Sequence, residues 1–408
     1  MILQLGWRNI WRNRRRTAVI LTAVIIGVWS MVFLGALMRG IADRMVRNGI
    51  ETLTGHIQVQ HPRYRSDPVV ENRIRETATV YGALEQQLPA GAKWAARVRV
   101  NAVANNARHS SGVVLVGIDP EKEAALSFIG AAAVTDGRYL ASGDSHHIVI
   151  GRALADKFET RIGNKLVLMS QDAHGDIASR AFRICGIYHA EMESTEKQYV
   201  FAILPAVQQM LKIGNDVSEV AVLLQSHERV DDVVGKLSRV LPADRFRVLS
   251  WRELLPLVTA VLTMYDGFIL FWFVTVFVAM GFGLVNTILM AVFERIREFG
   301  LLSAIGMKPR WVVAEVLAES FFLLVIGTAI GNAIGGLSVL MLSRSGIDLS
   351  AFAAGMEFVG MSRVIFPALL WKDVLIANGT VLVLGLLVSL YPALKAARFS
   401  PVEAMAHV

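Results

Sequence analysis

The chain has 408 residues, of which 54% are hydrophobic and 18% charged, with a formal net charge of +7. At a mean hydropathy of +0.48, that charge is too sparse to cover a soluble protein of this length, so an integral membrane protein is expected. The cationic residues sit beside apolar runs, as topology and anionic headgroups require, so no nucleic-acid partner is expected; the single cysteine, Cys185, excludes an intrachain disulfide or a C-x-x-C metal or redox site.

Residues 1–16 read as a cytoplasmic interfacial helix. Leu3, Trp7, Ile10 and Trp11 share a face, with Arg8 and Arg12 towards the other side, which suits Trp7 and Trp11 at the membrane interface. Arg14, Arg15 and Arg16 continue that interface into the first span, 17–38. A cleavable signal is the competing reading, but the apolar core is too long and no A-x-A-like site precedes Arg39.

Residues 40–265 are long enough to bury a core of their own. "GHIQVQ", "AARVRVNAV", "GVVLVGID", "SEVAVLLQ" and "RFRVLS" alternate as strands, while "TVYGALEQQL" and "ERVDDVVGKLSRVL" carry helical spacing. Between them "HIVIGRALADKF", "KLVLMS" and "AFRICGIY" indicate a β-rich inserted subdomain around 116–215. An α+β domain is the reading. Its ionisable residues form no recognisable catalytic pattern. His146 and His147 are adjacent and would point to opposite faces of a strand, so a shared metal is not expected. Ser110-Ser111-Gly112 and Asp172 with Asp176 lack any nucleophile or acid–base motif, and Gly235-Lys236 lacks the rest of a phosphate loop.

From Trp251 to Tyr265 the apolar residues keep helical phase, with Pro256 near the start, so 251–293 reads as a stalk plus the second span. The third span covers 316–343 and the fourth 374–394, each long enough to cross ~30 Å of hydrocarbon. Residues 344–373 form a loop between them and 395–408 a tail. Lys and Arg concentrate in the leader, in the loop after Phe293 and in the tail, which places both termini and the 294–312 loop in the cytoplasm. The large domain is then periplasmic: one span, a domain, three spans. The uncharged stretches Thr17–Met38, Gly267–Phe293, Ser320–Ser343 and Val374–Leu394 contain no Asp, Glu, Lys, Arg or His, so a proton relay or aqueous pore is not expected. Asn286 and Asn332 are their conspicuous polar residues, read as interhelical hydrogen-bonders. Gly327, Gly331 and Gly335 place a groove on one helical face for close packing.

The loop "FERIREFGLLSAIGMKPRWV" gathers Glu294, Arg295, Arg297 and Glu298, then turns apolar and stops at Gly306 and Pro309. Ile296, Phe299 and Leu302 form a stripe with Leu301 and Ile305 beside it. Two readings stand: a tight re-entry turn whose apolar side touches lipid, or a docking helix for a cytoplasmic protein.

"ERIREFGLLSAIGMKPRWV", the opening "LGWRNIWRNRRRT", the ending "LYPALKAARFSPVEAM" and "IVIGRALADKFETRIGNKLVL" together resemble the FtsX-like permeases, the MacB and LolC/LolE superfamily of ABC transporters. The resemblance implies a bacterial inner-membrane permease that is not itself an enzyme. It would work as a dimer with an identical or homologous permease chain, on a cytoplasmic ABC ATPase dimer that binds ATP and Mg; the chain itself would bind no cofactor. Residues Glu294, Arg295, Arg297, Glu298, Phe299, Leu301, Leu302, Ile305 and Gly306 would seat on that ATPase, and the stalk would pass its closure to the periplasmic domain. With sixteen residues before the first span, the ATPase is expected on a separate chain, and the layout is nearest the lipoprotein-releasing LolC/LolE branch. A lipoprotein or other lipophilic envelope substrate, and a periplasmic carrier protein, are then expected partners. An efflux component, a regulator of a cell-wall hydrolase and a membrane-anchored enzyme are the alternatives.

Overall fold

The computed structural model describes residues 2–226, 229–348 and 364–398. Helices α1 (Ile2–Arg12) and α2 (Arg14–Gly49) part at Asn13, and one π turn (Ile50–Thr54) leads into β1 (Ile57–Gln60). Next come α3 (Thr77–Gln87), the hairpin β2 (Lys93–Asn105) and β3 (Ser110–Ile118), and α4 (Pro120–Ala124), whose N-terminus Asp119 caps. The middle holds β4 (Val134–Gly137), β5 (His147–Gly151), α5 (Arg152–Lys157), β6 (Lys165–Gln171), β7 (Ile177–Tyr188), α6 (Glu193–Gln198), β8 (Tyr199–Ile203) and α7 (Leu204–Leu211). Then β9 (Glu219–Leu223), α8 (Val230–Val240) and β10 (Arg247–Ser250) return to the first strand. After α9 (Trp251–Leu254) come α10 (Pro256–Glu294), α11 (Ile296–Ala304), α12 (Pro309–Ser345), the short pair β11 (Ile347–Asp348) and β12 (Val364–Ile365), and α13 (Trp371–Ala397).

The strands read from alternation are all present, and the α+β domain lies between the first two apolar helices as expected. Part of the expected 344–373 loop and most of the 395–408 tail lie outside the described residues. One boundary differs: the helix of the second span opens at Pro256, and Trp251–Leu254 is a separate turn closed by a Ser250–Glu253 capping box. Leu255, at φ −115° and ψ 64°, breaks the two apart. The cause is Pro256, whose ring disfavours helical geometry at the residue before it.

By its contacts the chain divides into two units, one of them Arg44–Ala260. In that unit ten strands form one sheet, with β10, β1, β9 and β2 in antiparallel sequence. Beyond Val98 the pairings run from β2 through β3, β8, β5, β7 and β6 back to β2, so these strands close on themselves. Closure leaves these strands without open edges among themselves and encloses an apolar interior that includes Leu115, Ile148, Ile150 and Phe182.

The opposite character marks one face of the open end. Gln60 stands opposite Glu219, and Glu219 opposite Arg97, so alternation puts Gln58, Gln60, Glu219, Arg97 and Arg99 on the same side. Arg97 is fully buried there. It donates through Nε (2.8 Å) and Nη2 (2.7 Å) to Glu123, and its Nη1 lies 3.4 Å from Glu219. Nη1 also donates to the carbonyl of Leu53, a residue held at φ 70° where the π turn unwinds. One guanidinium thus pins α4, two strands and the end of the turn.

The other unit comprises Met1–Asp43, Val261–Phe352 and Arg363–Val408. Its described residues include stretches of four helices long and apolar enough to cross a membrane. Val24, Val28 and Met31 of α2, Phe273, Phe277 and Leu284 of α10, Leu324 of α12 and Val381 of α13 form its interior. Arg39 on α2 ties three helices together, with Nε 2.7 Å from Asp373 and Nη1 2.6 Å from Asp266.

Replacing Arg97 with alanine leaves Glu123 and Glu219 buried without their counter-charge, a loss of about 3–5 kcal/mol. The thermal unfolding of the detergent-solubilised chain is expected to shift down by several degrees. Arg108→Ala, which removes an exposed pair with Glu159, is expected to leave it within about one degree.

Candidate functional site

The chain between α10 and α12 is built around Arg295, the residue between two helices. Its side chain is nearly buried, and its three nitrogens reach three carboxylates: Nε to Glu298 at 3.0 Å, Nη2 to Glu315 at 2.6 Å and Nη1 to Glu319 at 3.3 Å. The guanidinium lies 5.0 Å over the Phe299 ring. Glu315 also accepts from Asn9 Nδ2 at 2.8 Å, Glu319 pairs with Arg16, and Arg12 reaches Glu298 at 3.0 Å. Three cations and four carboxylates, counting Glu294 at 3.8 Å from Arg16, therefore fasten α11 to α1, α2 and α12. Burial by itself would lower the Arg295 pKa, but hydrogen bonds from its nitrogens to Glu298 and Glu315, and the charges of Glu315 and Glu319, raise it overall. Burial works to raise the Glu298 pKa, yet its bonds from Arg295 and Arg12 lower it.

This clamp decides which side of α11 is free. Ile296 and Phe299 turn inward, Phe299 to 2% exposure, and both Phe299 and Arg295 are unavailable as surface anchors. Of the stripe Ile296, Phe299 and Leu302 expected to face a partner, Ile296 and Phe299 are thus turned inward. The apolar residues that do face outward are Leu301, at 57% exposure, and Ile305, at 77%, with Glu294, Arg297 and Glu298 exposed around them. Leu302 lies within α11, but its side chain is outside those described. Gly306 takes φ 99° and ends the helix as its sequence position suggested, in a conformation that costs a glycine nothing. Pro309 then opens α12.

The other singled-out residues divide similarly. Trp7 and Trp11 are exposed, 6.1 Å apart and edge-on, and Arg14 and Arg15 are exposed. Ile10 and Arg16 are not: Ile10 is buried in the helical core, and Arg16 is drawn onto Glu319. The first helix packs on α12, where a Cβ on Gly6 would stand 3.2 Å from that of Ala318. Gly327, Gly331 and Gly335 face Val24, Val28 and Val32 of α2, while the neighbouring Gly336 faces open space. Asn332 donates to Asn378 of α13 at 3.0 Å, whereas Asn286 is exposed on α10. The residues that sequence reading missed are Asn9, Glu315 and Glu319. Two glutamates four apart at the start of an apolar helix were the available signal, since such charges persist there only when paired.

Apolar helices long enough to span a bilayer, an α+β domain between the first and second of them, and a charge-clamped loop helix define a polytopic membrane protein of the permease class. Residues 17–240 match the MacB-like periplasmic core domain and residues 268–401 the FtsX-like permease C-terminal region, and the chain belongs to this family. It is 31% identical to the macrolide export ATP-binding/permease protein MacB of Bdellovibrio bacteriovorus over 131 residues, 31% of this chain and only 17% of that protein. To the pyoverdine export ATP-binding/permease protein PvdT of Pseudomonas fluorescens it is 22% identical over 99% of this chain and 59% of the relative. To the lipoprotein-releasing system transmembrane protein LolC of Xylella fastidiosa it is 22% identical, over 79% of each. The solved periplasmic region of MacB from Actinobacillus actinomycetemcomitans aligns at TM-score 0.36 and 11% identity over 52% of this chain and 97% of that one.

A Cβ at position 331 would meet Val28 Cβ at 2.8 Å and the Ile25 carbonyl at 3.0 Å. Gly331→Val is therefore expected to push α12 off α2 and lower both membrane yield and thermal stability by at least 1–3 kcal/mol, roughly the cost of overpacking. Gly336→Val, introduced into open space on the same helix, is expected to leave both unchanged.

Proposed function

We propose that this chain is the non-catalytic permease subunit of an ABC transporter, driven by a separate cytoplasmic ATPase that binds ATP and Mg. Paired with a second permease chain, it moves a lipophilic or lipid-anchored substrate that is already outside the cytoplasm. The observation that carries this reading is the exposed Leu301–Ile305 face on a helix held rigid by buried ion pairs. A lipid-facing turn would not need its charges locked on three neighbouring helices, whereas a helix that receives force must not swing on its hinge. The cationic termini and the 294–312 loop support a cytoplasmic location for this face and a periplasmic one for the α+β domain. The sequence has no phosphate-binding loop, which supports an ATPase on another chain.

The names of the relatives divide between export of small molecules and release of lipoproteins. The substrate class on which these chemistries overlap is an amphiphile taken from the outer leaflet or periplasm, with a periplasmic carrier or exit partner receiving it. Regulation of a cell-wall hydrolase is the second reading to set beside transport, because it uses the same ATPase contact with a different periplasmic outcome.

Leu301→Asp combined with Ile305→Asp is expected to leave membrane insertion and thermal stability intact, because both side chains are exposed. It should reduce co-purification with the partner ATPase at least about tenfold, as loss of two interface anchors does. Phe299→Asp should instead destabilise the permease itself. Undiminished ATPase recovery with the double variant would remove the basis for the coupling role.

A further inference from the structure

The polar row on the sheet of the α+β unit floors a cavity of about 560 Å³, within the ~300–1,000 Å³ usual for small-molecule sites. Its walls differ in chemistry. The sheet contributes Gln60, Glu219 and Arg99 to the lining, and Met45, Leu255 and Val258 contribute apolar side chains.

On the polar side two acceptor oxygens, Gln60 Oε1 and Glu219 Oε2, have no protein donor. Gln58 Nε2 donates to the carbonyls of Leu53 (3.1 Å) and Thr54 (2.8 Å). Its oxygen must then accept, and does so from Gln60 Nε2 at 2.6 Å. That order leaves Gln60 Oε1 without a donor, since turning the amide over would set two oxygens against each other. Glu219 uses Oε1 towards Arg97 and leaves Oε2 without a partner. Two buried acceptors therefore have no protein donor.

Arg99 supplies the opposite need. Its one side-chain hydrogen bond runs to Tyr199 Oη at 3.4 Å, and among the described residues no carboxylate lies within ion-pair distance of it. Tyr64 Oη donates to the Arg99 carbonyl at 2.6 Å, which fixes the strand without engaging the guanidinium; beyond the contact with Tyr199, whose ring it overlies at 5.6 Å, the guanidinium keeps further N–H donors. Arg65 adds a second guanidinium to the lining. The missing complement is a group with several N–H donors for Gln60 and Glu219, joined to an anion whose oxygens suit a planar guanidinium fork.

We propose that this cavity binds a primary-ammonium phosphate head of the phosphoethanolamine type. The ammonium meets Gln60 and Glu219, the phosphate meets Arg99, and any attached hydrocarbon lies along Met45, Leu255 and Val258. The site is in the α+β unit and is measurable without an ATPase, so its failure would leave the coupling role standing.

The test is calorimetric titration of the full chain in detergent with dihexanoyl-phosphatidylethanolamine, dihexanoyl-phosphatidylcholine and free O-phosphoethanolamine. The ethanolamine lipid is expected to bind at least about tenfold more tightly than the choline lipid, whose quaternary nitrogen has no N–H to donate. Arg99→Gln and Gln60→Leu, each checked for an unchanged unfolding temperature, are expected to weaken binding about tenfold or more. Free O-phosphoethanolamine binding as tightly as the lipid would support the head-group site with a soluble ligand as its source; weaker binding would support a lipid. Equal affinity for the two lipids, or binding unaffected by both variants, would overturn the proposal.

Discussion

A guanidinium cannot stay out of water unless carboxylates replace the solvation it loses. At Arg295 that requirement is met by Glu298, Glu315 and Glu319, which lie on α11 and at two successive turns of α12. Each carboxylate in turn recruits something from the N-terminal helices: Asn9 for Glu315, Arg12 for Glu298 and Arg16 for Glu319. The position of α11 is therefore set by electrostatics, with packing following from it. Once Arg295 is drawn in, helical geometry carries Phe299 in beside it and turns Leu301 and Ile305 out. The surface offered by this loop is the remainder left by the clamp.

The same logic operates at Arg39, which binds Asp266 and Asp373 and so joins α2, α10 and α13. Between these charged ends, the interior is apolar and closely packed, with α12 glycines admitting the valines of α2. Apolar helices in lipid gain little from hydrophobic burial against each other, so small residues and paired charges must supply the specificity of their arrangement. The helical unit has both.

How much of this could be read in advance depended on the kind of signal. Strands of the α+β domain were legible because a period of two is short and unambiguous, as "GHIQVQ" and "AARVRVNAV" show. The span helices were legible as uncharged runs, but their true ends were not. Helix α12 begins at Pro309 and carries Glu315 and Glu319 before the uncharged part, and α2 continues to Gly49. A charge scan treats such residues as boundaries, whereas in the structure they are paired members of the helix. The inward turn of Phe299 and Arg16 was not legible either. An amphipathic pattern shows that a helix has two faces, and only tertiary partners decide which is covered. Alternating Gln, Glu and Arg in β1, β9 and β2 likewise look like a solvent-facing row. Burial of that row depends on α4 and the π turn, which are brought in by Arg97 and have no local trace in the strands.

The pairing order of the sheet also constrains how the molecule is made. Ile57 in β1 needs Ser250 in β10 and Val222 in β9 as neighbours, so the first strand to emerge waits for nearly the last. Contacts of such long sequence separation form slowly. Through that delay the apolar strands and charge pairs of the nascent domain lack their partners, the condition that favours aggregation in chains of this topology.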